Sequence, residues 1–346
     1  MDMETEAKEY LRHAIIEVTP VCNLHCRHCY NPWKRKGAND AGGGSYRKAA
    51  ALLGWLIART TAERVVFTGG EPTISERFLE LVVHAKVNGL RVSVITNGNG
   101  DWDIYKGLAR AGVDLMEFSI LSAQAKTHDR ITGVKGSWER AMRTLRMMME
   151  QGVEVVPVTV VMAENAGEVG ECVEYLYGLG IRRFMVNRYN IGGEGLNQAE
   201  ELSASRKRLQ ETFREVDELA DRYGLDVVSG VCTPHCLLDP ADYPHIRFGN
   251  CATDVYRRPL TFDLDGNVRL CNHSPQVAGN IYRQRLSEML FSDYACSWVD
   301  TKAAYCEGCT KWEVCRGGCR AASEQTGGTL RDVDPAVNLL RNKEET

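Results

Sequence analysis

Three cysteines near the start of the sequence, Cys22, Cys26 and Cys29, are spaced as C-x3-C-x2-C. Three thiolates on one loop can ligate three corners of an iron–sulfur cube. The fourth iron then lacks a protein ligand and can bind a small molecule, by the logic of the open position in a catalytic zinc site. The same spacing also allows a structural zinc site in which His25 or His28 is the fourth ligand.

The segment Thr68-Gly69-Gly70-Glu71-Pro72 is a second candidate site, because it directly follows the apolar run Arg64–Phe67. Glycines allow a backbone to come close to a ligand. A carboxylate beside exposed carbonyl groups suits a cationic amino group. By itself, however, the segment is also typical of an ordinary strand-to-helix turn.

The elements that must position these residues alternate between β-rich runs and helical periodicity. The predicted strands are His13–Val18, Arg64–Phe67, Arg91–Ile95, Leu115–Ile120, Val153–Met162 and Arg183–Val186. The predicted helices are Tyr46–Ala58, Glu76–Val87, Trp102–Ala111, Trp138–Glu150, Glu168–Gly178 and Leu202–Tyr223. Six such units predict an α/β fold, a partial (β/α)6 barrel with its chemistry at the C-terminal ends of the strands.

After about residue 230 the pattern changes, because the strands become short, as in Pro259–Leu264 and Val268–Leu270. Cysteines become frequent there, whereas only Cys172 lies between Cys29 and Cys232 among the chain's 13 cysteines. The region has few long apolar runs, so we expect bound metal to contribute to its folding. A disulfide scaffold would be shorter and exported, which favours thiolates that bind metal in a reducing compartment.

Composition excludes several classes of protein. The 346-residue chain is 44% hydrophobic and 25% charged, as for a soluble globular protein. Its net charge of −4 gives no reason to expect nucleic acid or an anionic membrane as partner. We see no secretory signal and no apolar stretch of membrane-spanning length, so we expect a cytoplasmic protein.

The two N-terminal motifs, placed after consecutive predicted strands, resemble the signature of the radical SAM superfamily. In that family the open iron of a [4Fe–4S] cluster is chelated by S-adenosylmethionine (SAM). Reductive cleavage of SAM gives a 5′-deoxyadenosyl radical that abstracts a hydrogen from the substrate. The resemblance implies that Cys22, Cys26 and Cys29 hold this cluster.

The same resemblance implies contacts with SAM at the ends of several strands. It places His28 against the adenine, Ser119 at the carboxylate, Asn97 in a T-N-G turn, and Asn187 and Arg188 toward the adenosine. The GGEP residues Gly69, Gly70, Glu71 and Pro72 would bind the methionine amino group. Residues 128–133 (HDRITG) resemble the family's H-D-x-I-x-G loop. Capping or loop chemistry also accounts for each of these weaker matches.

The C-terminal cysteines resemble the SPASM extension of radical SAM enzymes, which carries two auxiliary iron–sulfur clusters. The matching pattern is Cys251-x14-Gly266-x4-Cys271 followed by Cys306-x2-Cys309-x5-Cys315-x3-Cys319. The last four cysteines alone would also suit zinc. The resemblance implies a first auxiliary cluster on Cys251, Cys271 and Cys319, with Cys236 as the expected fourth ligand and Cys232 as the alternative.

The second auxiliary cluster is then expected on Cys306, Cys309 and Cys315. The family has a further cysteine after the position of Cys319, but none follows it here. We therefore expect this cluster to be open or to be completed by Cys296, Asp332, Asp334 or Asn338. An oxygen or amide ligand would shift the potential of the cluster.

Because SPASM-type enzymes commonly modify ribosomally made peptides, the resemblance predicts a peptide crosslinking or epimerising enzyme. A small-molecule dehydrogenase or decarboxylase of the same family is the alternative, and a non-catalytic metal-binding module is the alternative from another class. In an epimerase, Cys232 and Cys296 are candidate hydrogen donors, although a role without catalytic function also suits both cysteines. We expect Cys172, within a helical apolar pattern, to be a buried small hydrophobe.

The expected organisation is a tail over 1–12, the barrel over 13–228, the SPASM-like domain over 229–340 and a tail over 341–346. Family members often carry an N-terminal domain that recognises a leader peptide, whereas about a dozen residues precede the first predicted strand here. We therefore expect leader recognition by a separate protein or by the barrel. We expect a flavodoxin or ferredoxin as electron donor.

Overall fold

The computed structural model describes residues 7–36, 44–252, 254 and 256–342. Most of the predicted C-terminal tail and the first half of the predicted N-terminal tail lie outside the described residues. The strands are β1 His13–Glu17, β2 Val21–Cys22, β3 Arg35–Lys36, β4 Arg64–Thr68, β5 Arg91–Thr96, β6 Leu115–Ser119, β7 Glu154–Val161, β8 Arg183–Arg188, β9 Asp226–Ser229, β10 Ile246–Phe248, β11 Leu260–Phe262, β12 Asn267–Arg269 and β13 Gly279–Asn280.

Thirteen α-helices accompany these strands in the described part of the chain. They are α1 Gly44–Arg59, α2 Phe78–Val87, α3 Trp102–Arg110, α4 Ala125–Thr132, α5 Ser137–Glu150, α6 Val169–Gly178, α7 Ala199–Leu202, α8 Arg206–Tyr223, α9 Leu286–Leu290, α10 Asp293–Asp300, α11 Trp312–Cys315, α12 Arg320–Gln325 and α13 Pro335–Asn342. None of the helices among these residues is long and apolar enough to cross a membrane.

The six predicted strands form the centre of one sheet, in the order β1-β4-β5-β6-β7-β8 with parallel pairing throughout. Each strand leads through at least one helix to the next, as β/α units require. Because the strands are parallel, their C-terminal ends lie at one edge of the sheet. The register pairs Glu17 with Thr68 and Thr96 with Phe118, so consecutive strand ends lie side by side. The partial (β/α)6 barrel is confirmed.

The sheet extends beyond these six strands on both sides. β9 and β10 continue it in parallel next to β8. On the other side β11 pairs in parallel with β1, and β12 and β13 follow in antiparallel order. The sheet therefore continues across residue 228 into the predicted second domain, and the domain boundaries stay predictions. The sequence analysis missed β9 and β10, because each is only three or four residues long.

One large apolar core runs through most of the protein. It includes the inward side chains of the strands, such as Ile16, Phe67 and Phe118, and reaches Met289 and Trp298 of the C-terminal region. A separate small group of buried residues consists only of Ala303, Cys306 and Trp312. Residues 303–316 thus contribute little apolar packing of their own, which agrees with the expected contribution of metal to folding.

Candidate cluster and SAM site

The loop from residue 19 to residue 34, here called the cluster loop, carries the first three cysteines at the C-terminal end of β1. Cys22 is buried in β2, whereas Cys26 and Cys29 are partly exposed. Burial raises the pKa of the Cys22 thiol to about 11 and that of Cys26 to about 12. Burial alone would lower the pKa of Lys34, but the charges of the three thiolates raise it. The three sulfurs and this ammonium therefore lie close enough to interact.

The glycines of the GGEP segment bind the backbone of the cluster loop. The N–H groups of Gly70 and Glu71 donate to the carbonyls of Thr19 at 2.7 Å and Val21 at 2.8 Å. A Cβ added to Gly70 would overlap the Val21 carbonyl, and one on Gly69, whose φ is +137°, would overlap that of Thr19. Only glycine permits this approach, so Gly69 and Gly70 hold the cluster loop against β4.

The Glu71 carboxylate is buried and joins the ends of β4 and β5. It accepts hydrogen bonds from the backbone of Thr73 at 3.1 Å and its hydroxyl at 2.6 Å. It also accepts from the Thr96 hydroxyl at 2.8 Å and the Asn97 N–H at 2.7 Å. Burial raises the pKa of Glu71 despite these bonds. The carboxylate thus positions its neighbours, and its contact with the SAM amino group stays a prediction.

Asn97 extends this network to the first cysteine. Its side-chain amide donates to Oδ1 of Asn23 at 2.8 Å and lies 3.8 Å from Sγ of Cys22. A hydrogen bond to a sulfur ligand is one means of tuning an iron–sulfur cluster. The T-N-G turn after β5 therefore contacts the cluster loop directly.

The HDRITG segment holds the other side of the cluster loop, and it is a helix rather than a loop. The last carbonyls of α4, on Ile131 and Thr132, accept hydrogen bonds from the N–H groups of Arg27 at 3.2 Å and His25 at 2.9 Å. Gly133 ends the helix in the left-handed conformation with φ of +72°. Free carbonyls at a helix end need such partners.

His28 lies between the second and third cysteines with its Nδ1 atom buried. Among the described residues this atom has no hydrogen-bond partner. Burial lowers the pKa of His28 to about 4, so the ring is neutral at neutral pH. A neutral ring with an unused buried nitrogen fits an aromatic base placed beside the cluster loop. The arrangement of thiols and ring is thus compatible with a cluster and SAM.

Three further residues that are predicted to contact SAM, Ser119, Asn187 and Arg188, lie at the ends of β6 and β8. Ser119 is half-buried beside Val158 of β7. Oδ1 of Asn187 accepts from the N–H of Gly230 at 2.7 Å and of Val231 at 3.1 Å, so this side chain supports the segment that leads to Cys232.

The Arg188 side chain is buried, and its guanidinium binds residues of the C-terminal region. Its guanidinium forms an ion pair with Asp334 and donates to the carbonyls of Cys232 at 2.8 Å and Tyr189 at 3.1 Å. Asp334 also accepts from the N–H of Cys319 at 2.8 Å. These bonds join the barrel to the cysteine-rich region, which differs from the expected role of Arg188 toward adenosine.

The C-terminal thiols form two groups of four in the structure. The first auxiliary group is Cys232, Cys251, Cys271 and Cys319, and the second auxiliary group is Cys236, Cys306, Cys309 and Cys315. A hydrogen bond with Cys251, together with burial and the charges of Cys251, Cys319 and Cys271, raises the pKa of Cys232. Burial raises the pKa of Cys306 to about 11, with contributions from Cys315, Cys309 and Cys236.

This grouping favours the alternative for the fourth ligand of the first auxiliary cluster. Cys232 interacts with Cys251, Cys319 and Cys271, whereas the assignment of Cys236 or Cys232 as the ligand stays a prediction. The thiols that act on Cys236 are Cys315 and Cys309. In the described residues no three His, Cys, Asp or Glu side chains lie close enough together to hold a single metal ion. The groups are defined by which thiols are close enough for their charges to interact.

The remaining cysteines lie outside both groups. Cys296 is exposed on α10, and its thiol donates to the Phe291 carbonyl at 3.7 Å. Cys172 is fully buried in α6, as expected of a small hydrophobe, and burial raises its pKa to about 12.

Two aromatic rings connect the cluster loop to the first auxiliary group, and sequence reasoning missed them. Tyr30 stacks on His273 with ring centroids 3.8 Å apart and planes 14° from parallel. The side-chain amide of Gln325 donates to the carbonyls of Tyr30 at 3.1 Å and His273 at 2.6 Å. The only signal in the sequence is that Tyr30 follows Cys29 and His273 lies two residues after Cys271.

A cavity of about 1100 Å³ opens beside the cluster loop, between the segment that follows β8 and helix α13. Leu196, Ala199 and Leu339 give it apolar walls. Gln198 at its edge accepts a hydrogen bond of 2.8 Å from Nε of Arg27, between the second and third cysteines. The cavity therefore adjoins the loop on which the first three cysteines lie.

Comparison with known proteins agrees with this geometry. Residues 16–176 match the model of the radical SAM superfamily. The chain therefore carries a radical SAM domain over these residues. A PqqA peptide cyclase from Methylocella silvestris is 27% identical over 341 residues, covering 94% of this chain and 87% of that protein. A PqqA peptide cyclase from Gluconobacter oxydans is 29% identical over 339 residues, with 94% and 90% covered.

Solved structures share the fold of this radical SAM enzyme. SuiB from Streptococcus suis, bound to S-adenosylmethionine, superposes with a TM-score of 0.70 at 16% identity, covering 94% of this chain and 76% of that one. anSMEcpe with bound AdoMet and the Cp18Cys peptide gives 0.70 at 16% identity, with 96% and 95% covered. The expected barrel and its C-terminal extension are confirmed as a fold, and the match to the radical SAM model agrees with the expected SAM and [4Fe–4S] cluster. The residues that hold these cofactors stay predictions.

Proposed function

We propose that this radical SAM enzyme modifies a ribosomally made peptide, by a crosslink or an epimerisation. The observation that carries the proposal is the similarity to PqqA peptide cyclases over almost the whole chain, including both cysteine-rich regions. Structures with the same fold have been solved with a precursor peptide or a peptide substrate bound, in SuiB and anSMEcpe.

The cavity beside the cluster loop supports a peptide rather than a small metabolite. Its volume of about 1100 Å³ slightly exceeds the range for sites that enclose drug-sized ligands, roughly 300–1,000 Å³. Its walls combine apolar side chains with amides such as Asn197 and Asn338. Such a mixture suits a peptide, which offers apolar side chains and a polar backbone.

In this proposal Cys22, Cys26 and Cys29 hold the cluster that SAM completes. When bound, these cofactors supply an electron that cleaves SAM and a 5′-deoxyadenosyl radical that removes one hydrogen atom from the peptide. Gly69 and Gly70 hold the cluster loop against β4, and the neutral His28 ring receives the adenine. These positioning contacts keep the reacting groups in one geometry, which can contribute several kcal/mol to a rate enhancement.

Net oxidation by a crosslink would send the second electron of the substrate toward the auxiliary clusters. The Tyr30–His273 stack and Gln325 lie between the cluster loop and the first auxiliary group, which supports a substrate bound between them. A flavodoxin or ferredoxin would supply the first electron, and a separate protein could present the leader peptide.

The test is anaerobic reconstitution followed by incubation with SAM and dithionite, with and without the short peptide encoded beside the gene. We expect 5′-deoxyadenosine in both cases and a mass change of the peptide in the second. Loss of two hydrogens would indicate a crosslink, and deuterium gained from solvent at unchanged composition would indicate epimerisation. A zinc-only protein that releases no 5′-deoxyadenosine would contradict the assignment. A neighbourhood of small-molecule biosynthetic genes without a peptide gene would contradict the peptide substrate.

A further inference from the structure

Cys232 and Cys236 lie on one tight turn and face different auxiliary groups. The N–H groups of Leu237 and Leu238 donate to the Pro234 carbonyl at 2.9 Å and 3.2 Å, which closes the turn. On one side of it the Arg188 guanidinium donates to the Cys232 carbonyl at 2.8 Å. This hydrogen bond holds Cys232 beside the end of β8.

Three contacts join the turn to the segment that carries the second auxiliary group. The N–H of His235 donates to Sγ of Cys315 at 3.3 Å. Lys311, between the cysteines of that segment, forms an ion pair with Asp239 just beyond the turn. A Cβ added to Gly318 would lie 2.5 Å from Cγ of Pro234, so the Pro234 ring packs closely against the Gly318 backbone. The residue before Cys236 is thus bonded to a sulfur of the second auxiliary group.

The thiols lie near one another in the same arrangement. Cys236 directly follows His235, whose N–H reaches Sγ of Cys315. The Cys236 thiol is also close enough to Cys315, Cys309 and Cys306 for their charges to interact.

The other candidates for the fourth ligand have different partners. Oδ2 of Asp334 accepts from Arg188 and from the N–H of Cys319, while Oδ1 accepts from the N–H of Ala336 at 3.0 Å. Asp332 accepts from the N–H of Thr329 at 2.6 Å and from its hydroxyl at 2.9 Å, in an exposed turn. Cys296 is exposed on α10 outside both groups.

We propose that Cys236 is the fourth ligand of the second auxiliary cluster, with Cys306, Cys309 and Cys315, and that Cys232 is the fourth ligand of the first. Cys236 would then take the place of the cysteine that the family pattern has after Cys319. Two C-x3-C segments, Cys232–Cys236 and Cys315–Cys319, each give one thiolate to each cluster and bind the clusters together.

The proposal rests on the auxiliary clusters of the proposed enzyme and has a consequence for its substrate. Four thiolates complete the coordination of a cluster, so the second auxiliary cluster has no open iron that a peptide could bind. All four protein ligands of this cluster would be thiolate sulfurs, which are soft donors, and it would have no oxygen or amide ligand of the kind that the sequence alone allowed.

The experiment isolates the auxiliary clusters by replacing Cys22, Cys26 and Cys29 with Ala in every protein. On that background, Cys236→Ala, Cys232→Ala and, as matched control, Cys296→Ala are reconstituted anaerobically. Iron and sulfide are quantified, and EPR spectra are recorded in the reduced and oxidised states with and without added imidazole. Circular dichroism establishes that each variant is folded.

We expect Cys236→Ala to change one reduced EPR signal, either through loss of iron or through sensitivity to imidazole at the newly open iron. Cys232→Ala should change the other signal, and Cys296→Ala should change neither. If Cys236→Ala matched the Cys296→Ala control, or if Cys236→Ala and Cys232→Ala affected the same signal, the assignment would be wrong. Should a variant fail to fold, Cys236→Ser and Cys232→Ser provide the same comparison, because oxygen ligation shifts the signal without removing a ligand.

Failure of this proposal is distinguishable from failure of the proposed function. SAM cleavage and peptide modification are measured on the wild-type chain, whereas ligand assignment is measured on proteins that cannot cleave SAM. A zinc-only wild type would contradict the enzyme itself. If the wild-type protein contains iron but the Cys236→Ala substitution leaves the EPR signal of the second auxiliary cluster unchanged, only the ligand assignment is contradicted.

Discussion

The cluster loop and the second auxiliary group hold their cysteines by different means. The cluster loop is bound by backbone hydrogen bonds from Gly70 and Glu71 after β4 and by the carbonyls of Ile131 and Thr132 at the end of α4. The sheet and its large apolar core support all of these groups. The barrel therefore forms the site geometry before any metal binds.

The segment that carries most of the second auxiliary group has far less support. Its separate apolar group contains only Ala303, Cys306 and Trp312. Its links to the rest of the protein include an ion pair from Lys311 and the His235–Cys315 hydrogen bond. The difference leads us to expect a rigid site at the three thiols of the cluster loop and a more pliable site at the second auxiliary group, whose order would depend on bound iron. Four predictions test this difference.

The largest effect is expected from Cys26→Ala, which removes one of the three ligands of the SAM cluster. Since the loop offers no replacement thiolate, formation of 5′-deoxyadenosine should be abolished. Liquid chromatography of reactions with SAM and dithionite measures this directly. Cys296→Ala is the control and should retain wild-type activity. Equal activity of Cys26→Ala and the wild type would refute the assignment of the cluster.

Gly70→Ala tests whether the barrel backbone positions the cluster loop. The added Cβ would overlap the Val21 carbonyl, so the loop must move. A displacement of about 1 Å can lower a rate roughly 100-fold, and we expect a loss of this order in 5′-deoxyadenosine formation. The control is Gly54→Ala within α1, where an added Cβ meets no atom within 4 Å. Comparable rates for the two variants would contradict the positioning role.

The sequence predicted the barrel half of this comparison well. Six strands of the sheet and most of their helices have local patterns, and parallel strands bring Cys22, Gly70 and Asn97 to one edge. The positioning role of Glu71 was not predictable, because two of its four hydrogen bonds come from Thr96 and Asn97, more than twenty residues away. The helix α4 was missed because five of its eight residues, 128–132, were interpreted only as part of a family motif.

The cysteine-rich half was less predictable for a physical reason. Cys232 and Cys236 are only four residues apart, so spacing does not distinguish them, and only the turn at Pro234 decides which thiol faces which group. Similarly, the position of Arg188 at a strand end suggested a ligand contact, whereas its burial against Asp334 gives it a structural role. Spacing identifies thiolates that bind metal but does not distribute them between two clusters.

Removal of iron should affect the two regions unequally. We expect hydrogen exchange of residues 303–316 to increase strongly in protein stripped by a chelator, because that segment has little apolar core of its own. Exchange in β4 to β7 should change little, since the sheet and its core remain. Mass spectrometry of peptides from both states measures the difference, with reconstituted protein as the control. An equal increase in both regions would show that the barrel also depends on its metal.

The smallest expected effect concerns pH and His128 of α4, the helix whose carbonyls bind the cluster loop. Its Nδ1 accepts from the N–H of Leu121 at 3.2 Å, and its Nε2 is buried without a partner among the described residues. Burial lowers the pKa of His128 from 6.5 to about 4. The unfolded chain therefore takes up this proton at higher pH than the folded one, and stability falls as the pH decreases from 6.5 toward 4.

Linkage gives the size of this effect as about 2 kcal/mol of unfolding free energy lost between pH 7.5 and pH 5. Urea unfolding of the iron-free protein at both pH values measures it, so that acid damage to the clusters does not contribute. His128→Gln should lose less stability than the wild type over this range, whereas the control His84→Gln on α2 should behave as the wild type does. If the free energy of unfolding had the same pH dependence in all three proteins, the hydrogen bonds between α4 and the cluster loop would not depend on a neutral His128. The rigidity of the SAM site would then come from the sheet alone.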